Sequence, residues 1–222
     1  MTPPGAAGAD GAGTGNGARD PGRLRMVLAT ANPDKAAEIA AIVAGAAGER
    51  IELVARPAAV GEVEETGDTL EDNARLKAHA LVEATGLPAI ADDTGLEVDA
   101  LGGAPGVFSS RFAGEHATYD DNVAKLLGDL EAVGAGGHDR RARFRTVAIA
   151  CFPGGREVVA HGVVEGTIAE VRRGSGGFGY DPVFVPDGDD GRTYAEMTAP
   201  EKNARSHRAR AFRALAVGLL QG

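Results

Sequence analysis

The chain has 222 residues, 43% hydrophobic and 25% charged, with a formal net charge of −9 at neutral pH. This is the balance of a water-soluble globular protein, and no apolar run nears the ~20 residues a membrane helix needs. An acidic surface also disfavours nucleic acid as a partner, because it repels phosphate wherever basic residues are not gathered locally.

Residues 1 to 22 are low in complexity, fifteen of them Gly, Ala or Pro. Such a segment has little to bury and is expected to be disordered. It also lacks the long apolar stretch of a secretion signal. The folded part, residues 23 to 222, begins with "RLRMVLAT", a short strand. In "NPDKAAEIAAIVAGA", Asn32 caps a helix, Pro33 suits its first position, and Ile39, Ile42 and Val43 form an apolar stripe. "RIELVA" reads as a second strand. "TGDTLEDNARLKAHALVEATG" reads as a second helix, with Leu70, Ala74, Ala78 and Leu81 on one face and Gly86 ending it. "LPAIAD" reads as a third strand, ending on Asp92 and Asp93. "HATYDDNVAKLLGDLEAV" is a helix with Thr118 and Asp121 near its start.

The pattern then changes. "RARFRTVAIACF" and "REVVAHGVVEGTIAEV" read as an antiparallel hairpin around Pro153, Gly154 and Gly155. The lone cysteine, Cys151, lies in this apolar run and reads as a buried small hydrophobe. A single thiol cannot form an internal disulfide, so nothing points to an oxidising compartment, and a cytoplasmic location is expected. A glycine-rich loop, "RRGSGGFGYDP", precedes a short strand, "VFVP". In the final "TAPEKNARSHRARAFRALAVGLL", Thr198 and Glu201 have capping-box spacing. The whole predicts an α/β fold with a mixed sheet flanked by helices.

Five groups can carry chemistry. At "LATANPDK" a helix follows a strand directly, so its backbone N–H groups and dipole favour an anion, and Lys35 adds a full charge. The alternative there is an ordinary capped helix. Around the second helix lie Glu62, Glu64, Glu65, Asp68, Glu71 and Asp72. Most read as solvated, and one or two can hold a hard cation. Asn73 and Lys77 share a helix face. Asp92 and Asp93 stand where ligands gather in open α/β sheets, at a strand's carboxyl end, although a plain turn also explains them. In "GSGGFGYDP", glycines allow close backbone approach, Phe178 and Tyr180 can stack on a base, and Asp181 can accept a hydrogen bond. The alternative is a turn with two anchoring aromatics. In "EKNARSHRAR", Lys202, His207 and Arg208 are donors. Lys202 and His207 would sit ~140° apart on one continuous helix, so a shared ligand requires a second helix start, for which Ser206 is suited. Together these describe a nucleoside triphosphate site.

The motifs "TAN..K", "EETGDTLEDNA..KA", "ADDTGLEVDALGGAPGVFSSRFAG", "GGFGYDPVF" and "AEMT..EKN..SHR..A" appear in the order seen in the inosine triphosphatase family, which the chain resembles over about residues 24 to 220. The resemblance implies an elongated two-lobed α/β fold with a long mixed sheet and the active site in the cleft. It implies a Mg²⁺-dependent homodimer, one ion per subunit, that converts ITP, dITP or XTP and water to the monophosphate and pyrophosphate. It assigns triphosphate contacts to Thr30, Ala31, Asn32, Pro33, Asp34 and Lys35; on charge grounds Lys77 is expected to join Lys35 in neutralising the leaving group. It makes Glu65 and Asp93 metal ligands and Asp93 the proton acceptor. Thr94 takes a substrate-contact position usually held by Ser. Phe178, Gly179, Tyr180, Asp181, Lys202, His207 and Arg208 fall in the nucleoside pocket. Ala31, Leu70 and Asp72 replace a frequent Gly, Phe and Glu. Two other readings compete: a Maf-like nucleotide pyrophosphatase, which the "FGYD" and "SHR" motifs oppose, and a non-catalytic nucleotide-binding protein, which would not need Glu65 and Asp93.

Overall fold

The computed structural model describes residues 23 to 221 except Glu62 and Asp189, so the low-complexity segment and its expected disorder lie outside the described residues. Seven strands form one mixed sheet in the order β2-β1-β3-β5-β6-β7, with the two-residue β4 (Pro105–Gly106) pairing β3 off this path. β1 (Leu24–Leu28), β2 (Ile51–Val54) and the start of β3 (Ala89–Val98) run parallel. From β3 through β5 (Arg141–Cys151) and β6 (Glu157–Ile168) to β7 (Phe184–Pro186) the ladders are antiparallel.

The helices begin where side chains can satisfy their first N–H groups. α1 (Pro33–Ala47) is capped by Asn32 with Pro at its first position, and α2 (Leu70–Thr85) is capped by Thr69 and stopped by Gly86 in a left-handed conformation. α3 (Tyr119–Ala132) and α4 (Ala199–Arg205) both carry full capping boxes, Thr118 with Asp121 and Thr198 with Glu201. α4 stops at Ser206, which has extended backbone, and α5 (His207–Gln221) starts one residue later. The second helix start required by the Lys202–His207 spacing is therefore present.

Side-chain alternation divides the core. On one face of the sheet Met26, Ile90 and Ala148 pack under α1 and α5, against Ile39, Phe212 and Leu215. On the other face Ala89, Ala91 and Ile149 pack under α2, against Ala74, Ala78 and Leu81. Further along the same strands a third cluster, with Leu96, Phe144, Val164, Phe184 and Tyr194, packs against Leu126 and Leu130 of α3 and forms the distal lobe.

One expectation fails. The third strand does not end on the aspartates but runs on to Val98, pairing residue for residue with β5 throughout. Two adjacent carboxylates resemble a strand terminus only when the groups that neutralise them lie far away in sequence.

α5 lies so close to β6 that a Cβ on Gly162 would fall 2.0 Å from the His207 carbonyl oxygen and 2.6 Å from the Ala211 nitrogen. Gly162→Ala must push α5 off the sheet. It is expected to destabilise the protein by about 1–3 kcal/mol, the usual cost of overpacking, seen as a lower urea midpoint. An unchanged midpoint would show that the helix yields freely.

Candidate active site

A cavity of about 840 Å³ lies between the two lobes. The sheet itself creates it. β1 stops after pairing Leu28 with Ile90, while β3 continues and next meets β4 at Leu96. Between these points the β1-side edge of β3 has no strand partner among the described residues, and Asp92, Asp93 and Thr94 occupy that stretch.

Alternation sends the two aspartates to opposite faces. Asp92 shares the face of Ile90, beneath α1 and α5. Its Oδ2 accepts from Arg208 Nε at 3.4 Å and from Thr94 Oγ1 at 3.2 Å, with Lys35 Nζ at 3.9 Å. Burial pushes the Asp92 carboxyl up, but Lys35 and Arg208 outweigh it and hold the group at about 2. Asp93 shares the face of Ala91, beneath α2, where Lys77 Nζ donates to its Oδ1 at 2.8 Å. Here burial wins and the Asp93 carboxyl is raised. The same Lys77 ammonium donates to Glu65 Oε1 at 3.1 Å, and Arg111 reaches Glu65 Oε2 at 3.4 Å. Although burial opposes it, Lys77 keeps the Glu65 carboxyl below its usual range. Two carboxylates on different elements thus share one cation.

The start of α1 departs from the expectation of free backbone donors. Asn32 Oδ1 accepts from the N–H groups of Asp34 and Lys35, Ala36 N–H bonds the Asn32 carbonyl, and Pro33 has none. The helix is capped, and its contribution is the Lys35 side chain. Thr30, Ala31, Asn32 and Lys35 line the cavity, whereas Pro33 and Asp34 are exposed outside it. Asp93 reaches the cavity only through Lys77, which lines it. Of the other acidic candidates, Glu64 and Glu65 line the cavity, Asp68, Glu71 and Asp72 do not, and Glu62 lies outside the described residues.

The far wall comes from the glycine-rich loop and the α4–α5 break. Asp181 Oδ2 accepts from Phe178 N–H at 2.8 Å and from Lys202 Nζ at 2.5 Å, which closes the loop onto α4. Gly177 has φ +68°, and a Cβ there would collide with the Asp181 carboxylate, so this turn requires glycine. Tyr180 is buried in the distal core with its hydroxyl on the Ser109 carbonyl at 2.9 Å, so it anchors the loop. Phe178 is the half-buried ring, with Lys202 Nζ 4.7 Å from its centroid and Tyr119 tilted beside it at 5.9 Å. Gly179 lines the cavity next to it. His207 stacks on Phe144 with centroids 4.3 Å apart. Burial, reinforced by Arg208 and Lys202, keeps its imidazole neutral, and its Nδ1 has no hydrogen-bond partner among the described residues.

Residues 26 to 217 match the model of the Ham1 family. The chain belongs to the Ham1 family. A dITP/XTP pyrophosphatase of Streptomyces coelicolor is 50% identical over 193 residues, 86% of this chain and 94% of that one. The structure of a HAM1 protein from Coxiella burnetii superposes with a TM-score of 0.80 at 41% identity, covering 90% of this chain and all of that one. That of a nucleoside-triphosphatase / dITP/XTP pyrophosphatase from Mycobacterium abscessus gives 0.67 at 42% identity, covering 89% and 97%. The resemblance drawn from the five motifs holds.

In this Ham1 chain the structure adds residues that the motifs did not single out. Glu38, one turn after Lys35 on α1, bridges Lys202 and Arg208 at 2.5 Å each. Its i, i+3 spacing from Lys35 was the available signal. Tyr119 accepts from Asn32 Nδ2 at 2.6 Å and so joins the two lobes across the cavity mouth. Arg111 holds Glu65. Arg111 lies inside the motif "ADDTGLEVDALGGAPGVFSSRFAG" without a role assigned to it, and Tyr119 lies outside the five motifs; each meets its partner only through the fold.

Asp92→Asn leaves Arg208 and Lys35 short of a buried counter-charge and is expected to destabilise by about 3–5 kcal/mol at neutral pH. The sign of the pH effect follows from the lowered carboxyl. Its contribution is complete above the ordinary 3.8 and is lost as pH falls through about 2. Urea unfolding at a series of pH values should show a shallower acid limb for the variant, and identical slopes would contradict the assignment.

Proposed function

We propose that this chain hydrolyses deaminated purine nucleoside triphosphates, ITP, dITP and XTP, to the monophosphate and pyrophosphate, with the homodimer carried from the family resemblance and the cytoplasmic location from the single cysteine. The observation behind this reading is that one cavity joins two different chemistries. One end has Lys35, Lys77 and the Glu65 carboxylate, with Asp93 directly behind Lys77, and the other has Phe178, Lys202, His207 and Arg208. The names of the relatives agree with it.

Mg²⁺ suits the first end. The donors of Glu65 and Asp93 are carboxylate oxygens, as this ion prefers, and they already hold a cation, the Lys77 ammonium, between them. Asp92 Oδ1 is also buried without a partner among the described residues. Glu65 and Asp93 would hold the ion, which when bound lowers the pKa of water and offsets charge on the phosphates. Lys35 and Lys77 stabilise the negative charge that grows on the departing pyrophosphate. Asp93, with its raised carboxyl, accepts the proton of the water that attacks the α-phosphorus. Thr94 sits between Asp92, Thr146 and Arg208 and fixes the floor beside that carboxylate.

At the other end Arg208 already donates to Asp92, Glu38 and Thr94, and Lys202 to Asp181 and Glu38. The neutral His207, whose Nδ1 has no partner among the described residues, is the group best placed to donate to a 6-oxygen in its Nδ1–H tautomer. Adenine presents an amino group at that position, which cannot accept from the Lys202 ammonium or the Arg208 guanidinium beside it. A mismatch of this type can reject a substrate by up to ~10⁴-fold.

Asp93→Asn is expected to lower kcat by ~10²-fold or more, the usual contribution of a general base. Near-normal ITP turnover by that variant would remove Asp93 from its role. A panel of ITP, XTP, GTP and ATP with Mg²⁺, assayed separately for pyrophosphate and phosphate, tests the activity. Pyrophosphate should be released from ITP and XTP and hardly at all from ATP. Equal rates on ATP, or phosphate as the product, would refute it.

A further inference from the structure

Outside the cavity, three potential ligands of different chemistry converge at the hairpin end of the sheet. Cys151, the last residue of β5, stands directly opposite Glu157, the first residue of β6. Directly opposed residues project to the same face. This is the face of Val147 and Ile149, under α2, and α2 brings His79 onto it. His79 Nε2 lies 2.7 Å from Glu157 Oε1, Cys151 Sγ lies 3.7 Å from the same oxygen, and all three ligand atoms fall within 4.8 Å of one another. None of the three lines the cavity between the lobes. Cys151 is four residues along β5 from Val147, the partner of Asp93, roughly 13 Å away along the strand.

We propose that His79, Cys151 and Glu157 form a binding site for a borderline-soft divalent metal ion of the Zn²⁺ class. Nitrogen, sulfur and carboxylate oxygen are the donors that such ions take, with water free to fill a fourth position. Zinc–ligand bonds of about 2.0–2.3 Å place neighbouring tetrahedral ligands about 3.3–3.8 Å apart. The sulfur–oxygen separation already has that value, and the shorter His79–Glu157 contact needs only a small opening. Arg75 Nε binds the other oxygen of Glu157 at 3.1 Å, which orients the carboxylate and leaves Oε1 for the metal. The three ligands come from a helix and two paired strands, so the site is held by rigid elements. His79 is 43% exposed and gives an ion access from solvent. On binding, the thiol proton leaves to water and the imidazole shifts to its Nδ1–H tautomer, so that Cys151 Sγ and His79 Nε2 can both bond the metal. The oxygen-preferring Mg²⁺ does not compete for a site of this kind.

The chain has a single cysteine, so any thiolate–metal signal reports this site and no other. Burial, with the Glu157 carboxylate adding to it, pushes the Cys151 thiol up, so the ion must displace a firmly held proton. The full-length protein, stripped with a chelator and held in excess Mg²⁺, is titrated with Co²⁺. The expected result is a saturable thiolate-to-cobalt charge-transfer absorption at one Co²⁺ per chain, removed by added Zn²⁺. The absorption should be lost in Cys151→Ser, and the Co²⁺ affinity should fall by ~10-fold or more in His79→Gln. Asp93→Asn should keep it. If Cys151→Ser does not fold by circular dichroism, the exposed His79→Gln carries the test. Absence of the absorption at saturating Co²⁺, or an absorption indifferent to His79→Gln, overturns the proposal.

Discussion

Everything at the centre of this molecule answers to two negative charges placed inside a β-strand. Asp92 and Asp93 are 3% and 5% exposed, deep enough that an uncompensated carboxylate would cost several kcal/mol. Because adjacent strand residues face opposite ways, one helix cannot neutralise both. Asp92 therefore draws on α1 and α5 through Lys35 and Arg208, and Asp93 draws on α2 through Lys77. From there the charges alternate in a continuous chain: Asp92 to Arg208, Arg208 to Glu38, Glu38 to Lys202, Lys202 to Asp181. Asp181 in turn fixes the glycine-rich loop. Removing any member leaves its neighbours with buried, unbalanced charge.

This arrangement explains why the site is rigid without depending on backbone donors. The start of α1 has its free N–H groups taken by Asn32, so recognition of a negative ligand falls to side-chain cations already oriented by carboxylates. Donors fixed before a ligand arrives need little reorganisation to stabilise charge. The same logic holds at the far wall, where Phe144 under His207 and Asp181 under Lys202 set the direction of each polar group.

Much of this was legible in the sequence, for reasons that differ by element. Three helix starts could be read because caps are local: Asn32, Thr118 and Thr198 each bond backbone two or three residues away. The α4–α5 break could be read because the Lys202–His207 spacing is incompatible with one helix face. The length of β3 could not be read, because what makes Asp92 and Asp93 tolerable inside a strand comes from Lys35, Lys77 and Arg208, more than fifteen residues away in either direction. Tyr180 looked like a stacking ring in the motif, yet its role is set by Ser109 on a distant loop. Glu38 does not stand out in the sequence, because a helical glutamate near a lysine is ordinary until the fold brings Arg208 against it.

The long strands also govern how the cleft can move. β3, β5 and β6 pass without interruption from the core under α1, α2 and α5 into the distal lobe, so the two lobes share one continuous hydrogen-bonded ribbon. No loop acts as a pivot between them along these strands. A change in the width of the mouth, where Asn32 meets Tyr119, must be spread as torsion over three strands at once. The cleft thus behaves as a stiff torsion spring, and a substitution within the sheet that alters its twist would reshape the mouth without touching any residue that lines it.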